Sequence, residues 1–193
     1  MITLIEDTRQ QAGKYKKMHE YFDDRGIKVL RSKLPVGDYA LLTDLSTVVD
    51  TKKGFQECVA NFVSKDHARV KREIEKAEEN GIRLIFLVID EKAKCIEDAI
   101  KWKNRYGKVK GVTLYKILNS VQMNHDVRFE FCTARESGRK VLELLGVDDD
   151  ESKTKSGFDQ RKCDDVRRSE HVRYPNERKT ERQNPMPRSC WKK

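Results

Sequence analysis

Six short apolar runs punctuate the chain. Ile2–Ile5 (ITLI), Ile27–Arg31 (IKVLR), Asp38–Leu42 (DYALL), Thr47–Thr51 (TVVDT), Arg83–Ile89 (RLIFLVI) and Val127–Cys132 (VRFEFC) are β-branched or aromatic and bounded by Gly, Asp or Asn, which predicts strands. RLIFLVI is almost unbroken hydrocarbon, as a central strand covered on both faces requires. Between the runs the period lengthens. In GKYKKMHEYFDDRG, Tyr15, Met18 and Tyr21 or Phe22 fall on one stripe. In DHARVKREIEKAEENG, Val70, Ile74 and Ala77 recur at i, i+4 and i+7, so both segments predict helices, with Gly26 and Gly81 placed for C-caps. VTLYKILNSVQ and ESGRKVLELLG share that period and flank the strand at Val127. The succession strand, helix, strand hairpin, helix, strand, helix, strand, helix predicts an α/β fold with a mixed central β-sheet flanked by helices.

Beyond Gly146 the periodicity stops. From the acidic run Asp148–Glu151 to Lys193, charged residues, Ser, Asn and Pro dominate, which predicts one domain over residues 1–147 and a disordered, charged tail over 148–193. From Arg161 onward eleven Lys or Arg stand against five Asp or Glu, a surplus that suits loose phosphate contact and equally a solvated terminus. The whole chain carries a net charge of +9, with a pI near 9.3. That favours an anionic partner, nucleic acid or acidic lipid, without choosing between them. The five cysteines (Cys58, Cys95, Cys132, Cys163, Cys190) are scattered with no C-x-x-C pair, which argues against a zinc site and a disulfide framework. The opening MITLIEDTRQ has too short an apolar run for a signal or a membrane span. The expected compartment is reducing and cytoplasmic, with no membrane partner.

The hairpin LPVGDYALLTDLSTVVDTKKG sets Asp38, Asp50 and Lys52 among hydrocarbon. Residues two apart on a strand share a face, so Asp50 and Lys52 point together and Thr51 points away. Asp38 joins them if the connection within Leu42–Thr47 has an odd number of residues or a bulge. Two carboxylates that close repel unless one is protonated or a cation sits between them. Hard oxygen donors favour Mg²⁺ or Mn²⁺ over zinc. Asp7, ending the first strand, reaches the same edge if that strand lies beside the hairpin, and Lys52 can orient an attacking water or offset charge on phosphorus.

The ordered series IEDTRQ, LPVGDYAL, VVDTKKGFQECVANF, KDHARVKREIEKAEENGIRLIFLVID and TLYKILNSVQ resembles the XPF-type nuclease domain of the PD-(D/E)xK superfamily, in particular its short prophage-like members. The family pattern is an acid after the first strand, then G-D, then V-E-R-K, then a basic helix leading into a buried strand. Asp7, Gly37–Asp38 and Asp50–Lys52 fall on those positions. The resemblance implies a restriction-endonuclease-like core over Met1–Gly146 and a DNA endonuclease of repair or recombination. It further implies a Mg²⁺ or Mn²⁺ cofactor held by Asp38, Asp50 and the Thr51 carbonyl, with Asp7 supporting it directly or through water. Lys52 would position the nucleophilic water. A homodimer is common among related domains. Asp50 and Thr51 replace the family's Glu and Arg, and no helix-hairpin-helix sequence is present to imply junction recognition. The rival expectation is a DNA-binding or regulatory protein that keeps the fold without catalysis.

Arg9, Lys65, His67, Arg69 and Arg72 are the candidate DNA contacts. Arg69, Arg72 and Lys76 share a helix face that grips phosphates or is simply solvated and balanced by Glu73, Glu75, Glu78 and Glu79. The resemblance favours contact for His67 and Arg69. Glu20 and Glu57 are spare acids, Gln122 and His125 have no assignable role, and Glu177–Lys179 imitates E-R-K without a preceding G-D.

Overall fold

The computed structural model describes residues 2–147, apart from 12 and 65. The charged tail and Lys65 therefore lie outside the described residues.

The six apolar runs all become strands: β1 (Thr3–Asp7), β2 (Lys28–Ser32), β3 (Tyr39–Leu41), β4 (Asp44–Lys53), β5 (Arg83–Ile89) and β6 (Val127–Cys132). They form one mixed sheet in the order β2-β1-β3-β4-β5-β6. The pairs β1/β2, β4/β5 and β5/β6 are parallel, and β1/β3 and β3/β4 are antiparallel. Helices α1 (Lys16–Asp24), α2 (Gly54–Phe62), α3 (His67–Glu79), α4 (Gly111–Asn124) and α5 (Ser137–Leu144) flank it, with a 3-10 turn at Ile96–Lys101. Among the described residues no helix is long and apolar enough to cross a membrane.

The alternation of β5 shows how the layers divide. Leu87 and Ile89 join Met18 and Phe22 of α1 and Val141 and Leu142 of α5 in one core. Phe86 points the other way, where Phe62 of α2 meets it at 5.1 Å between ring centroids and Phe129 meets it at 5.2 Å. Burial on both faces is why that strand reads as continuous hydrocarbon, each large side chain contributing about 1.5–3 kcal/mol.

Helix α2 has no counterpart among the amphipathic segments of the sequence. Phe55, Cys58, Val59 and Phe62 are buried and recur at i, i+3, i+4 and i+7, with Gln56 and Glu57 partly exposed on the other face, but the helix is only nine residues long and follows the apolar strand β4 directly. Gly54 makes its abrupt start possible: its φ is +66°, and a Cβ there would lie 2.7 Å from Asp90 Oδ2.

The β3/β4 hairpin settles the parity question through a bulge. Leu41 pairs with Asp44 across a two-residue tip, which alone would carry Tyr39 opposite Ser46. Instead Tyr39 pairs with Val49, because β4 carries extra residues between the two pairings. The odd displacement moves Asp38 from the level of Thr47 to that of Asp50.

Candidate active site

Asp7, Asp38 and Asp50 lie side by side on β1, the start of β3, and β4. The Asp7 N–H donates to the Asp38 carbonyl (2.8 Å), and the Asp38 N–H donates to the Val49 carbonyl (3.0 Å). Just before Asp38, Gly37 has φ +67°, and a Cβ there would come within 2.4 Å of Val48 Cγ1. Only glycine lets the chain pass this close to β4 while turning into the site. Its N–H donates to Glu73 Oε1 of α3 at 3.0 Å.

Lys52 follows on the same face of β4. Its Nζ lies 2.5 Å from Asp50 Oδ1, with the lysine side chain 4% and the aspartate side chain 6% exposed. The ammonium also sits 5.3 Å from the centroid of the Phe86 ring, a hydrocarbon floor to the site. Asp38 Oδ2 accepts from the Thr51 N–H (2.9 Å), the Thr51 hydroxyl (2.5 Å) and the Gln10 amide (3.2 Å). The Thr51 hydroxyl thus reaches Asp38, although strand alternation assigns it to the face opposite Asp50. Asp38 stands one residue before β3, so the pleat of that strand does not confine its side chain.

No described residue donates to Asp38 Oδ1 or Asp50 Oδ2, and neither atom is sealed from solvent. Each of these two carboxylates therefore keeps one open oxygen in a cavity of about 320 Å³ that is also lined by Arg9, Gln10, Lys14, Glu57, Arg69 and Glu73. Two open carboxylate oxygens without sulfur or imidazole suit a hard divalent cation. Asp7 is not a third. Its Oδ1 accepts from Arg9 N and Nε at 2.7 Å each, and its Oδ2 from Arg9 Nη2 (2.9 Å) and the Leu34 N–H (2.7 Å). Among the described residues no three His, Cys, Asp or Glu side chains gather as a metal-holding group.

Electrostatics follow the donors. Burial pushes the Asp50 carboxyl up to about 7, against the pull of Lys52 and with help from the charges of Asp38 and Glu73. Burial also raises Asp38, opposed by Lys52 and Thr51. Burial works against the Lys52 ammonium, but Asp50 and Asp38 outweigh it and the lysine stays charged. Burial raises Asp7 as well, yet its hydrogen bonds from Arg9 and Leu34 prevail and hold it below the usual carboxylate range.

Of the expected DNA contacts, Arg9 and Arg69 line the cavity and are both 54% exposed. Arg69 bridges Glu73 (3.2 Å) and Asn61 (2.9 Å). Arg72 is exposed but outside the cavity lining, and His67 is half-buried at the start of α3. Glu57 pairs with Lys14 at 3.2 Å, while Glu20 faces solvent beside Lys16. Gln122 accepts the Phe129 N–H, and His125 pairs with Glu78. Sequence reasoning missed Gln10, Lys14 and Glu73 as site residues. Only the position of Gln10 in IEDTRQ, beside two site candidates, could have flagged one of them.

The ERCC4 domain family matches residues 7–144. Among solved structures, XPF from Aeropyrum pernix is similar at 16% identity and TM-score 0.55, over 86% of this chain and 69% of that one. XPF from Aeropyrum pernix in complex with DNA is similar at 16% identity and TM-score 0.56, over 76% of this chain and 64% of that one. At this identity the likeness is one of fold, and no curated protein matches. With residues 7–144 matched and the sheet order and site geometry in place, the chain belongs to the ERCC4 domain family, the XPF-type nuclease domains of the PD-(D/E)xK superfamily.

Proposed function

We propose that this chain is a divalent-metal-dependent DNA endonuclease of DNA repair or recombination, selective for DNA structure. One observation carries the reading: half-buried Asp38, at the start of β3, and buried Asp50, on β4, both with raised proton affinity, each keep an oxygen open beside a charged lysine. Such a pair is stabilised by a cation from outside; its hard oxygen donors support Mg²⁺ or Mn²⁺, and family membership and the match to an XPF–DNA complex support a DNA phosphodiester as the substrate. Asp38, Asp50 and the Thr51 carbonyl would hold the ion, which when bound supplies charge for the phosphate and a nucleophilic water at neutral pH.

The chain's own groups do the rest. Gln10 and the Thr51 hydroxyl fix Asp38 Oδ2, leaving Oδ1 toward the cavity. Lys52 stays protonated, so it acts as a hydrogen-bond donor to the attacking water or a non-bridging oxygen and not as a base. Arg9, Lys14 and Arg69 border the cavity where flanking phosphates would pass. Asp7 serves by holding Arg9 and the Leu34 backbone.

A nicking assay on linear and branched duplexes with Mg²⁺ or Mn²⁺ tests this. Wild type should cleave, and Asp38→Asn and Lys52→Ala should not. Cleavage persisting in both variants defeats the site assignment, and binding without cleavage by wild type favours a non-catalytic DNA-binding role.

A further inference from the structure

From the last residue of the 3-10 turn to the residue before α4 the chain runs KWKNRYGKVK, Lys101–Lys110, with five cations and no acid. Lys101, Lys103, Arg105, Lys108 and Lys110 are all exposed, and Tyr106 at the loop's tip is 83% exposed. None of the five cations pairs with an acid among the described residues. Cations nearer the cavity behave differently: Arg9, Lys14, Lys52 and Arg69 all have carboxylate partners.

The loop is anchored at both ends. Trp102 packs edge-on against Phe55 of α2 at 6.1 Å between centroids. At the other end, a Cβ on Gly111 would lie 2.1 Å from the Ala99 carbonyl oxygen, so α4 begins hard against the 3-10 turn. Within the loop, Asn104 Oδ1 accepts the Tyr106 N–H at 3.0 Å. Held this way, the loop loses little further order on meeting a ligand.

Its position relates it to the cavity. Phe55 stands three residues after Lys52, and Glu57 of the same helix turn lines the cavity. The loop follows β5, whose last residue, Ile89, pairs with Lys53. The parallel strands β4 and β5 thus finish at the same end of the sheet, and the Trp102–Phe55 contact sets the start of the loop beside the first turn of α2, three residues beyond Lys52.

We propose that Lys101–Lys110 is a second DNA-binding surface, which takes the phosphate backbone of duplex flanking the cleaved bond. The inference rests on the nuclease reading above and adds to it where the substrate extends. A string of unpaired cations beside a phosphodiester-cleaving cavity suits a polyanion that continues past it, and the exposed tyrosine offers a flat face to a sugar or base. An acidic lipid surface is the competing class and is weaker, because it would have to share this edge with the substrate.

The test uses the full chain and a fluorescently labelled linear duplex, without divalent metal, across a salt series. One variant combines Lys103→Gln, Arg105→Gln, Lys108→Gln and Lys110→Gln, and a control of equal charge combines Lys16→Gln, Lys17→Gln, Lys28→Gln and Arg83→Gln. The loop variant should bind at least about 10-fold more weakly, and its slope of log Kd against log salt should drop by about 2–4, with the control near wild type. Equal loss in both variants, or none in the loop variant, overturns the inference and leaves the nuclease reading standing. Loss of binding only to anionic phospholipid vesicles overturns it in favour of the membrane. If wild type neither binds nor cleaves DNA, the nuclease reading fails and this inference with it.

Discussion

Asp7 and Asp38 stand opposite each other on adjacent strands, and protons respond to them in opposite ways. Four donors from Arg9 and Leu34 fill both oxygens of Asp7, and its carboxyl lies below the usual range. Asp38 is filled on one oxygen, open on the other, and raised. Burial pushes both upward, and what opposes it differs. Asp7 has a guanidinium forked onto it, whereas the donors to Asp38 are neutral and the neighbouring cation, Lys52, pairs with Asp50. Glu6, one residue before Asp7, is paired within the fold as well. It is 2% exposed, its Oε1 meets the Tyr39 hydroxyl at 2.9 Å and His19 at 3.0 Å, and its Oε2 lies 3.7 Å from Arg31 Nη1. A buried acid with every acceptor used is architecture, and one with an acceptor left over is chemistry.

The largest effect that would sharpen this contrast is on cleavage. Asp50→Asn should lower the single-turnover rate by about 10²–10³-fold or more while leaving the circular dichroism spectrum intact, the range seen when one electrostatic group of a site is removed. Next comes stability without metal. Asp7→Asn should destabilise by about 1–3 kcal/mol in urea unfolding, since Arg9 and Leu34 lose a charged acceptor. Asp38→Asn should move stability by less than about 1 kcal/mol, because a raised carboxylate gives little up when neutralised. Equal losses in the two variants would erase the distinction.

The pH dependence gives a third test. Asp7 has a lowered folded pKa, so its contribution is present above the ordinary carboxylate range and is lost as pH falls through that lowered value. Asp50 is raised from 3.8 to about 7, so the folded state keeps a proton that the unfolded chain has released. Metal-free protein should therefore lose stability as pH climbs through that window, and Asp50→Asn should flatten the slope. Mg²⁺ or Mn²⁺ should restore the loss in wild type and not in Asp38→Asn, as read by the melting temperature. The smallest effect belongs to Arg69→Ala, whose half-exposed pair with Glu73 is worth about 0.3–0.5 kcal/mol. A larger drop in DNA affinity than in stability would mark it as a phosphate contact.

The strands were legible because each is a short apolar run with its own punctuation, and α1 and α3 because one face of each meets water. Brevity hid α2: it is nine residues long and follows β4 without a break, so the helical spacing of Phe55, Cys58, Val59 and Phe62 merges with the apolar run of the strand. Asp38, Asp50 and Lys52 could be grouped from the period of a strand, but only the register shift between Tyr39 and Leu41 shows that Asp38 belongs at the level of Asp50. Asp7 falls on the edge its strand implies, but its pairing with Arg9 is not encoded by the period of a strand, because the fork closes on it only once the strand ends. Gln10 and Glu73 come from a loop and from α3 and reach the site through tertiary structure alone, which no local spacing encodes.

That same register shift has a practical side. It divides the hairpin into a site half, tied by the Asp38 N–H to Val49, and a tip half around Leu42 and Thr43 whose pairing is set separately. Leu42 and Leu45 are 49% and 43% exposed, so the tip has room around it. A reporter peptide or fluorophore grafted between Leu42 and Thr43 would leave the alignment of Asp38 with Asp50 undisturbed, and would give the fold a labelling point on the hairpin that carries both carboxylates.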